Sequence, residues 1–553
     1  MSNATQPATK RTGLALTLEL LAKTPNEAAV NVLIDALDSP RSELREGALR
    51  AMLDRRSPHG QREILKRLAD GGERWREIIA ERPGRMTLAL RDGVLGSDTQ
   101  LCKSACDAIL WLREYDLMPA LVTAAEEDPH DRSDMVALTL LELSAQLYEE
   151  LSSHKPMRNR RDPQLVRAYV TNPLEASVKR FSKHRRAEVI EAFLILANRD
   201  NATLKQLLQD PHHASYIPLV DCLLHCERGG IVRLLLGFLD DPHAPSAAIS
   251  VVARRNDRKF IKHLLRKIGY EPSQVAAQNL KRIESAAWLR TEKALIDELD
   301  DAEQHSFVQL IMALGLKRHE SFKAIEQVLQ RGKPGGRRAA AKVLATFNGA
   351  DANALAILAL DDSDPLVQAA IVAQLRPRGI PGALTRLIAL VDHPAEPVRK
   401  AARDSLSEFN FERYLAAFDM LDEEVRQSTG VLVRKICRDY RDGLRTELEA
   451  RSRTRRLRAV HMAIAMQAVP DMESTIIELL ADDDHMVRAE AIRALSVSDS
   501  PSAFDAVHEA LNDRSPVVQE AAEQVISGWR RRGEGEAVPA QRKGMVSQEE
   551  LRS

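Results

Sequence analysis

The chain has 553 residues, 79 of them basic and 80 acidic, for a net charge of −1. Hydrophobic residues make up 44% and aromatics only 4%, so a core is available but has to be built from Leu, Ala, Val and Ile. The charge balance excludes a chain that coats nucleic acid along its whole length, and five cysteines in this length exclude a disulfide framework.

The N-terminal stretch MSNATQPATKRTGLALTLELLAK lacks a true apolar h-region, because Glu19 interrupts its only candidate. Residues 1–11 read as disordered. No run of about 18 apolar residues occurs anywhere, so the expectation is a cytoplasmic protein without a membrane partner. Residues 12–153 carry helical patterns set off by turns that begin with Asp. Asp38 and Asp98 stand 60 residues apart, and Asp98 and Asp128 stand 30 apart. Cys102 and Cys106 share one helical face, as do Cys222 and Cys226 with His225 beside them. Zinc needs a third and fourth ligand nearby, so the cysteines read as small buried hydrophobes.

Between residues 154 and 209 the spacing loses its phase and the basic excess peaks. Within 154–186, Lys155, Arg158, Arg160, Arg161, Arg167, Lys179, Arg180, Lys183, Arg185 and Arg186 accompany only two acids, with Tyr169 and Phe181 interleaved. The segment reads as divergent and partly linker, and the ten cations form a candidate patch for an anionic partner. A second basic stretch around Arg434, Arg455 and Arg456 is diluted by Asp439, Asp442, Glu447 and Glu449.

From residue 210 to 527 the spacing is regular again. Asp210 and Asp241 are 31 apart, Asp361 and Asp392 are 31 apart, and Asp392 and Asp422 are 30 apart. DDDHMVRAEAIRAL from Asp482 superposes on DRSPVVQEAAEQVI from Asp513. Each unit holds two helical patterns. Val487, Ala491, Ala494 and Leu495 recur at i, i+4, i+7 and i+8, and nothing reads as an alternating strand. Asp caps the next helix and Pro suits its first turn. Ala491 is expected to face a partner helix, with Ala489 on another side. QRGKPGGRRAAAKVL lacks the G-x4-G-K-[ST] phosphate loop and reads as a turn. The repeated DPH, with His130, His212 and His243, and the acidic clusters ELDDAEQ and LADDDH read as turns too. The tail 528–553 loses all periodicity and reads as disordered. No catalytic residue, metal ligand or cofactor is assigned.

The pattern D-x4-5-[VL]-[RQ]-x2-A-x2-[AV]-[LI] resembles HEAT repeats of the armadillo-like superfamily, and its 30–31-residue period resembles the short bacterial type called PBS-lyase HEAT-like repeats. The resemblance implies an all-α fold, an α-solenoid or superhelix of roughly 16 stacked two-helix repeats. It also implies an inter-repeat ladder of turn Asp and following Arg, here Asp38 with Arg45, Asp392 with Arg399, and Asp482 with Arg488. Gln368 and Gln519 replace the Arg in two copies, and His461 stands where other copies place Ala. The function it implies is a non-enzymatic scaffold or adaptor whose long curved helical surface binds proteins, acidic ones among them. The alternative is a nucleic-acid-binding solenoid that uses residues 154–186. A more remote alternative is bilin-lyase-like chromophore attachment, although the four Trp are too dispersed to line a tetrapyrrole pocket.

Overall fold

A computed structural model describes residues 13–127, 131–153 and 161–535. Among them are 34 α-helices and seven short 3-10 turns, with no strand. No described helix is long and apolar enough to cross a membrane. The chain divides into two compact units, Met1–Ala339 and Ala340–Ser553.

The punctuation read from the sequence acts as helix capping. The Asp98 carboxylate accepts from the backbone N–H groups of Gln100 and Leu101, and that of Asp484 from Met486 and Val487. In ELDDAEQ, Asp300 and Glu303 form a reciprocal capping box. The described DPH motifs close on themselves: the N–H of His212 donates to Asp210 at 3.0 Å, and that of His243 to Asp241 at 2.9 Å. His130 lies outside the described residues.

In the first unit, α1 (Asp131–Ser152) packs against α2 (Pro163–Lys179) and, more extensively, α3 (Ala187–Leu196). The described part of 154–209 is thus mostly helix laid on the helices before it. Further on, α4 (Asp301–Ala313) packs on α5 (Arg318–Arg331), which is followed by α6 (Pro334–Leu344). The glycine-rich turn between α5 and α6 is pinned to α4. The N–H of Lys333 donates to Gln304 Oε1 at 2.6 Å, and that of Gly335 to Asp301 Oδ1 at 2.7 Å. A Cβ on Gly336 would stand 2.6 Å from Gln304 Oε1, so the close approach requires glycine.

The second unit comprises α7 (Ala350–Leu358), α8 (Pro365–Val372), α9 (Ala383–Leu390), α10 (Glu396–Ser405), α11 (Phe411–Ala417), α12 (Glu423–Ile436), α13 (Tyr440–Leu448), α14 (Arg453–Ala465), α15 (Glu473–Glu478), α16 (His485–Leu495), α17 (Pro501–Glu509) and α18 (Pro516–Gly535). From α11 onward these helices form two layers. In one, α12, α14, α16 and α18 pack in succession; in the other, α11, α13, α15 and α17 do so. A single apolar cluster runs through this stack from Phe411 to Trp529.

Two expectations are corrected here. Ala489 does not face away from the contacts: Ala489 and Ala491 are both fully buried. The helix α16 lies between α14 and α18 and against α15, so Val487, Arg488, Ala489, Ala491, Ile492, Ala494 and Leu495 are all buried. The last helix also runs beyond residue 527, to Gly535. Trp529 is buried beside Phe504, ring centroids 4.2 Å apart, and its Nε1 donates to the Ser496 carbonyl at 3.0 Å.

Since both alanines fill the space available to them, Ala489→Leu and Ala491→Leu should each destabilise the protein, by about 1–3 kcal/mol. Urea midpoints measured for the two variants against the wild type test this, and a wild-type midpoint for either would contradict it.

Candidate interaction surface

The basic side chain four positions into a helix has a repeated task. Arg45, Arg337, Arg399, Arg456 and Arg488 are each the fourth residue of their helix. Helical Cβ atoms tilt toward the N-terminus, so these side chains reach back over the preceding turn. One Nη1 in each donates to carbonyls five or six residues earlier: Arg399 to His393 and Pro394, both at 2.7 Å, Arg456 to Ala450 and Arg451, both at 2.9 Å, and Arg488 to Asp482 at 2.8 Å and Asp483 at 3.2 Å. Arg45 holds Ser39 and Pro40 in the same way, and Arg337 holds Gly332. Gln519 keeps the local bond, donating to the Asp513 carbonyl at 2.7 Å.

Near the C-terminus a carboxylate ladder is added on this staple. Arg456 meets Asp482 of the following unit at 2.6 and 3.0 Å, and Arg488 meets Asp513 at 2.8 Å through both nitrogens. Asp482 and Asp513 stand three residues before α16 and α18. The same position before α12 is Met420 and before α14 is Ala450, so Arg399 has no carboxylate to meet there. Asp38 and Asp392 pair with other cations: Asp38 with Arg67 at 2.8 Å and Asp392 with Lys435 at 2.6 Å.

The structure spreads the candidate basic patch over several tasks. Arg161 pairs with Asp116 at 2.7 Å, Lys179 with Glu175 at 3.3 Å and Arg180 with Glu126 at 2.7 Å. Arg167 donates twice to the Leu196 carbonyl, at 2.8 and 2.6 Å. Arg186 is buried against Asp134, Ser133 and the Ala125 carbonyl. Lys183 and Arg185 are exposed and make no ion pair with a described residue. Lys155, Arg158 and Arg160 lie outside the described residues. The second basic stretch is similarly engaged: Arg434 pairs with Asp471, Arg455 with Glu447 and Arg456 with Asp482.

The cysteines occupy packing positions. Cys102 and Cys106 are buried, while Cys222 and Cys226 are half-buried. The hydrogen bond with the neighbouring Cys102, together with burial, pushes the Cys106 thiol up in pKa. His225 faces Asp221 rather than the thiols, at 3.0 Å. No group of three or more metal-ligating side chains occurs among the described residues.

The second unit also separates a repeated register from a variable one. Six residues after their helix starts stand Ala402, Ala459, Ala491 and Ala522, all buried, with a half-buried Thr429 at that place in α12; ten residues after stand Leu406, Val433, Ala463, Leu495 and Ile526, all buried. Eight residues after the same starts stand Asp404, Val431, His461, Arg493 and Gln524, exposed except for the half-buried Val431. His461 therefore belongs to the outward row, while Ala459 fills the alanine position. The helix α14 begins two residues earlier in the pattern than the sequence spacing suggests. His461 Nε2 lies 3.3 Å from Glu490 on α16.

Arg488 holds the Asp513 carboxyl below the usual aspartate range. The ionised form is thus favoured in the folded chain, and its contribution is present above about pH 4 and lost as pH falls through the folded-state pKa. Asp513→Asn should lower stability at pH 7 by about 1–3 kcal/mol and by progressively less as the pH is lowered. Denaturation series at pH 7 and pH 3 measure the difference; an equal cost at both would show that charge is not the reason.

A family model described as HEAT repeats matches residues 442–527. No curated protein matches the chain. A chain in a structure described as "A conserved phosphorylation switch controls the interaction between cadherin and beta-catenin in vitro and in vivo" is 14% identical, covers 92% of this chain and 99% of its own, and has a TM-score of 0.38. A crystal structure of importin beta is 13% identical, covers 94% of this chain and 82% of its own, and has a TM-score of 0.32. At these scores neither likeness bears on function. The two-layer stack of α13 to α18, its Ala and Leu registers and its Asp–Arg ladder coincide with the matched segment: residues 442–527 are HEAT repeats.

Proposed function

We propose that the chain is a non-enzymatic protein-binding scaffold, built of short-period HEAT repeats of the PBS-lyase-like type. The observation that carries this reading is the contrast between registers in the second unit. Positions that touch other helices repeat one small or aliphatic type, whereas the outward row reads Asp404, Val431, His461, Arg493, Gln524. A surface that tracks a phosphate backbone would be expected to repeat a cation at each step. A row with a different chemical group on each helix suits a partner whose own groups differ along its length, as a folded protein or peptide does. The engaged cations of 161–186 and 434–456 weigh the same way. Lys183 and Arg185 are the described members of the basic segment best placed to meet an acidic group on such a partner.

The test replaces Asp404, His461, Arg493 and Gln524 by Ala together. These exposed side chains lie off the core, so helical content and melting temperature should stay at wild-type values. Proteins retained by wild type after nuclease treatment and lost by the variant are the expected result. Retention of the same set by both overturns the reading of this row. Binding of duplex DNA with a log–log salt slope of about 0.9 per phosphate contact, abolished by Lys183→Glu with Arg185→Glu, would favour a nucleic-acid partner instead.

A further inference from the structure

The repeat that stacks α12 to α18 is interrupted once inside the second unit. Helices of the ladder layer begin at Pro365, Glu396, Glu423, Arg453, His485 and Pro516, so successive steps are 31, 27, 30, 32 and 31 residues. The short step lies between α10 and α12. There α8 packs closely on α10, and α12 on α14, but α10 and α12 make no comparable contact, nor do α9 and α11. The apolar cluster shared by the later helices begins at Phe411 and takes in no residue of α10. Of the buried residues of α12, Ile436 stands outside that cluster and lines a groove at the seam.

The groove has a volume of about 440 Å³, and Lys400, Arg403, Phe409 and Cys437 also line it. The Nε of Arg403, beside the groove, is buried with no hydrogen-bond acceptor. The ladder fails at the same place. Met420 occupies the position held by Asp482 and Asp513 in later units and is 90% exposed, and Arg399 turns to Glu396 on its own helix. Two ion pairs cross the seam at the surface: Lys435 to Asp392 at 2.6 Å and Arg438 to Glu396 at 2.8 Å.

We propose that the second unit bends at the seam between α10 and α12, and that the pairs Lys435–Asp392 and Arg438–Glu396 are the latch that holds it closed. Exposed ion pairs are weak and screened by salt, whereas apolar burial of the kind that joins α12 to α18 is not, so the seam yields first. Opening it separates Lys435 and Arg438 from Asp392 and Glu396 and widens the groove beside Arg403, with no disruption of the core from Phe411 to Trp529. This inference goes beyond the scaffold reading and does not depend on which partner binds.

The test is a distance distribution between two spin labels in the full chain, with Cys222, Cys226 and Cys437 replaced by Ser. One pair, Asp351→Cys with Glu523→Cys, spans the seam. A control pair, Asp442→Cys with Glu523→Cys, lies wholly on one side. The spanning pair should give the broader distribution, and Asp392→Asn with Glu396→Gln, or 1 M salt, should broaden it further and leave the control unchanged. Far-UV circular dichroism of the double variant should match wild type. A spanning distribution as narrow as the control overturns the hinge. A broad one indifferent to both salt and the double variant overturns the latch.

Discussion

A stack of short helices has many ends, and each end leaves carbonyl oxygens without partners in its own helix. Satisfying those oxygens is the constraint on which the rest of this fold depends, and arginine is the residue that meets it. The staple from Arg399, Arg456 or Arg488 covers two carbonyls of the turn that joins its helix to the one before. Between successive helix pairs, Arg255 reaches the carbonyls of Leu223 and Cys226, Arg282 that of Ala244, and Arg378 those of Leu344 and Phe347. A planar guanidinium with five donors can serve two acceptors and still offer an edge to a carboxylate, which an ammonium does less well. The positive charge also suits the negative end of a helix, as the capping aspartates suit the positive end.

The architecture was legible in the sequence because its signals are local. Asp at the cap, Pro in the first turn and apolar residues at helical spacing act within a few residues of one another, and the segment around Asp482 and Asp513 could be read almost as it folds. The arginine bonds were not legible to the same degree. Their acceptors are backbone carbonyls, which every residue has, so nothing in the sequence marks Leu196 as the target of Arg167 or Ala244 as the target of Arg282. For the same reason, a local excess of basic residues at 154–186 could not be divided into engaged and exposed cations. Phase was the other gap. A helix that starts two residues early moves His461 from the alanine position to the outward row, and counting from a turn aspartate cannot detect the shift. Ala489 eluded the periodicity because α16 has neighbours on three sides, so its buried arc is wider than one stripe.

Packing and recognition make opposite demands on the same helices. Between α10 and α18 the buried register mostly admits Ala at one level and an aliphatic at the next, since the interhelical distance is shared by successive repeats. Gly430 marks the extreme of this demand, because a Cβ there would stand 2.6 Å from the Tyr414 hydroxyl and 3.1 Å from the Ala465 carbonyl group. The outward row faces no such limit and can carry acid, imidazole, guanidinium or amide. Variation is therefore confined by geometry to the side where another molecule could meet it.

The arginine staple has a consequence for how such a chain can lengthen. Donor and acceptors lie within seven consecutive residues, so the lock on a turn travels with the turn. Copying one stretch of about 31 residues transfers a cap, a helix pair and the lock between them as a working part, with no compensating change required elsewhere. The carboxylate ladder is different, because its donor and acceptor sit in neighbouring copies and both must carry the right residue. Opposite Arg399 the matching place holds Met420, and there the ladder is lost while the staple stays: the ladder persists only while adjacent copies remain matched, and the staple outlasts it when they diverge.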